Sequence, residues 1–215
     1  MQLHDNSKIV FIGDSITDAG CAKPDGEGLN NALGAGYVNL VNALLWSRYP
    51  EKHLRVINKG LSGNQVRDLE RRWQTDVLDL KPDWLSIMIG INDVWRQYDM
   101  PMRNECHVPL DEYAATLDRL VTTTQPTVKG LVLMTPFFIE AQAEDILRAR
   151  MDAYGEVVRE TAARHGAVFV DTQAAFSGFL AHYHSAALAW DRVHPNTTGH
   201  MLIARAWLNA VGFQW

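Results

Sequence analysis

Five short runs of consecutive apolar, largely β-branched residues constrain this chain more than any other feature. They are Lys8 to Ile12, Leu54 to Ile57, Trp84 to Ile89, Leu131 to Met134 and Val168 to Val170. Runs this short and this continuous read as strands buried on both faces rather than as strands with one wet side. Between them the spacing predicts helices over Tyr37 to Arg48, Val66 to Leu80, Leu110 to Thr124 and Ala143 to His165, with a last one over Thr198 to Val211. Strands that alternate with helices pair in parallel through right-handed crossovers. The expected architecture is a doubly wound α/β domain.

The 215 residues fit one such domain, and no repeat, charge block or Pro/Gly/Ser linker divides them, so residues 1–215 are read as a single unit. A hydrophobic content of 47% with 21% charged residues excludes a disordered or low-complexity chain. The 25 acidic side chains exceed the 20 basic ones, which argues against nucleic acid as a partner. Cys21 and Cys106 are the only cysteines, enough for one disulfide but neither for a disulfide framework nor for a cysteine zinc site. No run approaches the ~18 apolar residues of a membrane span. The start MQLHDNSKIVFIGDS has Asp5 and Asn6 where a secretory signal needs an apolar run. A soluble, cytoplasmic protein with no membrane partner is expected.

Ligands of an open α/β sheet bind outside the carboxyl ends of the strands. The two longest irregular segments, Cys21 to Gly36 and Trp95 to Pro109, follow strand ends and are expected to frame a site there. The first strand runs directly into Gly13-Asp14-Ser15-Ile16-Thr17-Asp18, exposing the Ser15 hydroxyl at a tight turn. A serine hydroxyl needs a base within hydrogen-bond reach and a third group to orient that base. Trp190-Asp191-Arg192-Val193-His194-Pro195 supplies both: Asp191 is close enough to hold Nδ1 of His194 while Nε2 faces the serine. Donors for an oxyanion are available in Asn58-Lys59-Gly60-Leu61-Ser62-Gly63-Asn64 and in Gly90-Ile91-Asn92-Asp93. Asp14, Asp18 and Asp93 are read as structural groups that hydrogen-bond loop amides.

In order and spacing these four segments resemble the motif blocks of the GDSL or SGNH hydrolases, and the match spans almost the whole chain. The resemblance implies a three-layer α/β/α, five-stranded parallel sheet of flavodoxin-like type. It implies Ser15 as nucleophile, His194 as base and Asp191 as its orienter, with the oxyanion held by the Ser15 amide, Gly63 and Asn92. Within the superfamily, GDSITD, NKGLSGN, IGINDVWRQYD and AALAWDRVHP are most similar to acetyl xylan esterases. A small acetylated saccharide is the implied substrate.

No GxxxxGK[ST] loop occurs, and no GxGxxG turn follows the first strand, so no cofactor is expected. His182 and His184 lack the spacing of a metal site, and no metal is expected. Trp95, Arg96, Tyr98 and Trp190 lie beside the catalytic blocks and are candidates for sugar contact, with Gln97 a further one. The aromatic end Trp207 to Trp215 must be covered, by docking of a terminal helix on its own sheet or, for an exposed remainder, by a subunit contact, and a homo-oligomer is the expectation. The same machinery would also serve a lysophospholipase, a thioesterase or a general short-chain esterase. A carbohydrate-binding module is the non-enzymatic alternative.

Overall fold

The computed structural model describes residues 1–215. Five strands, β1 (Lys8–Gly13), β2 (Arg55–Gly60), β3 (Trp84–Met88), β4 (Gly130–Met134) and β5 (Val168–Val170), form one sheet in the order β2-β1-β3-β4-β5. Every pairing is parallel, with Val10 opposite Ile57 on one side and Leu85 on the other. The eight helices are α1 (Ser15–Asp18), α2 (Tyr37–Arg48), α3 (Val66–Trp73), α4 (Ile91–Asp99), α5 (Leu110–Thr124), α6 (Ile146–His165), α7 (Thr172–Leu180) and α8 (Thr197–Ala210). The expected three-layer, doubly wound parallel sheet is present.

Local chemistry sets the helix limits. Asp145 caps α6 by accepting from the Leu147 and Arg148 amides, both at 3.0 Å, so this helix begins at Ile146 rather than at Ala143. Gly166, at φ +60°, ends it. Asn196 caps α8 through Gly199 N at 3.2 Å. The stretch expected as one helix from Val66 to Leu80 is α3 followed by a π turn over Gln74–Leu78.

Two expectations need correcting. The segment Trp95 to Pro109 is not irregular from its start, because α4 carries Trp95, Arg96 and Tyr98. Ile91 and Val94 lie three apart and are both buried, a helical spacing that the short run after β3 conceals. Helix α7 went unread as well. Asp171 caps it through Ala174 N at 2.8 Å, and Phe176 and Leu180 bury its inner face.

Strand β2 also continues past its apolar run through Asn58 and Lys59. Both are buried and fully engaged. The Asn58 carboxamide donates to Thr17 O at 2.7 Å and Leu33 O at 2.9 Å and accepts from Gly60 N at 2.8 Å. Lys59 Nζ meets Pro24 O at 2.9 Å, Asp25 at 2.7 Å and Asp76 at 3.1 Å. A buried polar group is tolerated in a sheet when its hydrogen bonds are met.

One face of the sheet is covered by α2, α8 and α7, and the other by α3, α5 and α6. On the first face Trp207 of α8 lies fully buried, its ring 5.1 Å from that of Phe11, and its indole N–H donates to Ser86 Oγ at 3.0 Å. On the second, the Trp73 indole donates to Thr124 Oγ1 at 2.9 Å, and the Tyr113 and Tyr154 rings pack at 4.9 Å. Trp207→Ala removes the largest side chain of the first face and leaves a cavity over β1 and β3. Chemical denaturation should show a loss of about 3–5 kcal/mol. A loss below about 1 kcal/mol would mean that the sheet does not depend on this anchor.

Candidate active site

The strand order reverses direction between β1 and β3, the point at which a flavodoxin-like sheet opens a crevice at its carboxyl edge. Gly13 ends β1. A Cβ there would overlap the Met88 carbonyl oxygen and the Thr17 hydroxyl, so the tight turn demands glycine. Asp14 follows and accepts from Ile16 N at 3.0 Å, which starts α1 with Ser15 as its first residue.

The loop before α8 comes to meet it. His194 Nε2 lies 2.9 Å from Ser15 Oγ, and His194 Nδ1 lies 2.6 Å from Asp191 Oδ2. The other carboxylate oxygen of Asp191 accepts from the amides of Val193 at 2.9 Å and His194 at 2.8 Å. Burial alone would raise the Asp191 carboxyl. The imidazole and the two amides outweigh that and hold it below the usual carboxylate range. The loop is pinned from outside by Arg192, which pairs with Glu140 at 2.8 Å and stacks over Phe138, while its carbonyl accepts from Ile139 N at 2.9 Å.

The two donor segments expected from the sequence are brought together next to this line. Leu61 N donates to Gly13 O at 3.0 Å, so the loop after β2 hangs from the residue before the Ser15 turn. Asp18 then accepts from both the amide and the hydroxyl of Ser62, at 3.1 and 2.9 Å. Gly63 follows at φ +84° with open space where a Cβ would be. Buried Asn92 donates from Nδ2 to Asn64 O at 3.0 Å. Its carboxamide nitrogen carries a second N–H.

Asp14, Asp18 and Asp93 hydrogen-bond loop amides, as expected. Complete burial pushes the Asp14 and Asp93 carboxyls up to about 7, although each accepts from a backbone amide, Ile16 and Val66 respectively. Asp18 differs. Burial would raise it as well, but Lys23 at 3.0 Å and Ser62 hold it low.

Of the residues proposed for sugar contact, Trp95 packs beside the base, with its ring 5.9 Å from the His194 ring. Arg96 stacks on Trp95 and pairs with Asp99. Tyr98 spends its hydroxyl on Ile146 O at 3.3 Å, and the Gln97 carboxamide nitrogen is directed at Asp93 O, Val108 O and the Tyr154 hydroxyl. Trp190 is 95% exposed beside a hollow of about 340 Å³ that Glu140, His184 and Arg192 also line. His182 and His184 are exposed, and no group of three or more His, Cys, Asp or Glu residues is arranged to hold a metal ion. Cys21 and Cys106 are free thiols, and no helix is long and apolar enough to cross a membrane.

Two residues under this site were not read from the sequence. Arg72 sits behind the Gly63 loop, and His200 is buried with Nδ1 accepting from Tyr37 N at 3.2 Å. Burial pushes His200 down to about 4, so it is neutral here. Neither lies in a motif block, and a helical arginine or histidine carries no sign of its partner in the local sequence.

Comparison with known proteins agrees with this geometry. A family model, the GDSL-like Lipase/Acylhydrolase family, matches residues 11–202. An acetylxylan esterase from Geobacillus stearothermophilus is 58% identical over 215 residues, covering 100% of this chain and 98% of the relative. The solved structure of that enzyme, Axe2, superposes with a TM-score of 0.99, and three further structures of it are described as the catalytic mutants S15A, D191A and H194A. LAE5, an alpha/beta hydrolase from the metagenome of Lake Arreo, is 58% identical with a TM-score of 0.97, covering 99% of this chain and 98% of its own. The chain belongs to the GDSL-like lipase/acylhydrolase family.

Proposed function

We propose that the protein removes acetyl groups from xylo-oligosaccharides by way of an acetyl-enzyme. The observation that carries this reading is the unbroken line from Ser15 Oγ through His194 to Asp191, at 2.9 and 2.6 Å. Similarity along the full chain to an acetylxylan esterase supports the choice of acyl group and alcohol.

In this mechanism Ser15 Oγ attacks the acetyl carbonyl carbon while His194 Nε2 takes the hydroxyl proton. Asp191, kept anionic, fixes the imidazole tautomer and stabilises the imidazolium. The oxyanion is received by the amides of Ser15 and Gly63 and by the Asn92 carboxamide, each donor worth about 3–4 kcal/mol. Collapse breaks the ester bond to the sugar, whose oxygen leaves with the proton from His194. Water then gives a proton to Nε2 as it attacks the acetyl-serine, and the second oxyanion collapses by breaking the bond to Ser15 Oγ, which takes that proton back from His194 as acetic acid leaves and ionises to acetate. Trp95, Arg96 and Trp190 offer ring faces and a guanidinium to the sugar, and Tyr98 contributes its ring, because its hydroxyl is engaged. Self-association through the exposed Trp215 belongs to the same proposal, and sedimentation as a single 24.2 kDa species would remove it.

Release of acetate from an activated acetyl ester tests the machinery. Ser15→Ala should abolish it, Asp191→Asn should lower kcat by roughly 10⁴-fold, and Asn92→Ala by roughly 10²–10³-fold. A Ser15→Ala enzyme with a tenth of the normal rate would end the reading. The pH profile should have an acid limb, since a protonated Nε2 cannot take the Ser15 proton, while Asp191, held below the usual carboxylate range, stays ionised. Asp14, pushed up to about 7, is the competing proton acceptor. The limb should persist in Asp14→Asn, and its disappearance there would shift the titration to Asp14. Finally, acetylated xylo-oligosaccharides should turn over far faster than a long-chain lysolipid, and the reverse order would assign the fold to lipid hydrolysis.

A further inference from the structure

The mechanism leaves one feature unused: a nearly buried guanidinium directly beneath the oxyanion loop. All three nitrogens of Arg72 are engaged. Nε donates to Asn64 Oδ1 at 2.8 Å, Nη1 to Lys59 O at 2.8 Å and to Asp76 at 2.7 Å, and Nη2 to Gly13 O at 3.1 Å. Those carbonyls belong to the ends of β2 and β1, and Gly13 is two residues from Ser15. Asp76 also pairs with Lys59, so one carboxylate is shared between two cations.

Asn64 is the link to chemistry. Its side chain is held by Arg72, and its carbonyl accepts one N–H of the Asn92 carboxamide at 3.0 Å. A carboxamide has two N–H groups in one plane, so fixing one sets the direction of the other. Gly63, between Ser62 and Asn64, has no side chain of its own to locate its amide. Asp18 fixes the residue before it and Arg72 the residue after it. Two further bonds close the frame: Gln65 Nε2 donates to Asn92 O at 3.2 Å, and Val66 N donates to Asp93 at 3.0 Å.

We infer that Arg72, acting through Asn64, is a positioning residue that aims the Gly63 amide and the Asn92 carboxamide at the oxyanion. The inference rests on the esterase reading above, in which those two groups receive the developing charge. Arginine suits the task because its planar fork reaches two strand-end carbonyls and the Asn64 side chain at once, and a lysine ammonium could not keep the same set of directions. Preorganised donors stabilise the transition state only while they stay aimed, so loosening the frame should lower kcat and leave substrate affinity nearly unchanged.

The test is steady-state kinetics with an activated acetyl ester on Arg72→Gln, Asn64→Ala, the double variant and Asn92→Ala, each checked for folding by circular dichroism. Asn64→Ala removes only the link and leaves both strand-end contacts of Arg72 in place, so it decides the matter if Arg72→Gln does not fold. Expected is a fall in kcat of about 10–100-fold in Arg72→Gln and in Asn64→Ala with KM within about twofold, and a double variant no worse than the poorer of these two. Folded Asn64→Ala with kcat within twofold of wild type, or losses confined to KM, would overturn the inference. So would losses that multiply in the double variant. If Asn92→Ala itself keeps the wild-type rate, the oxyanion assignment fails. If Asn92→Ala is impaired and Asn64→Ala is not, only the role of Arg72 fails.

Discussion

Parallel pairing is the constraint from which the rest follows. Five buried strands that all run the same way must all end on the same edge, and the chain has to leave that edge through turns whose backbone groups no longer belong to a ladder. The β1/β3 reversal is the point at which the turns of a doubly wound sheet part and ligands bind. Ser15, Gly63 and Asn92 occupy the turns after β1, β2 and β3, and the loop carrying Asp191 and His194 closes over them from the far end of the chain. The site is what this edge becomes when its turns carry reactive groups.

That edge is also where the domain concentrates its buried charge. Asp14, Asp18, Lys59 and Asp93 are all buried here together with Asn58, Asn64 and Asn92, and elsewhere in the core only Arg148 among the acidic, lysine and arginine side chains is buried. Desolvation is costly unless each group is paired, and nearly all of them are, by turn amides or by each other. Asp93 Oδ2 is the exception, a buried carboxylate oxygen without a partner on a group that burial pushes up to about 7. The network therefore has two effects. It meets the hydrogen-bonding needs of backbone released from the sheet, and it immobilises the loops that carry the donors.

The reactive groups differ from this surrounding in exposure. Asp191 and His194 are open to solvent, and Ser15 is partly so, whereas the residues that hold the turns beneath them are closed off. A nucleophile and base must meet substrate and water, while the frame that aims them gains stiffness from a dry interior. Arg192 and Glu140 perform the same service for the histidine loop from the outer side, where an ion pair and a stacked Phe138 replace burial.

Local sequence carried the strands, five of the helices and the motif blocks, because continuous apolar runs, helical spacing and Gly-Asp-Ser or Asp-x-x-His turns are properties of neighbouring residues. It therefore carries the fold class and marks Ser15, Asp191 and His194 as candidates, while Gly63 and Asn92 are singled out as oxyanion donors by the family resemblance. It did not determine α4 and α7, whose short apolar patterns follow strand ends and resemble loop. Nor could it separate Trp95, which lies beside the imidazole, from Tyr98 and Gln97, whose hydroxyl and amide nitrogen bond within the fold. Only the tertiary structure brought residues 15 and 194 to 2.9 Å and set Arg72 beneath the Gly63 loop. Those contacts join segments far apart in the chain, and their geometry comes from packing the sheet edge rather than from any local preference of the residues themselves.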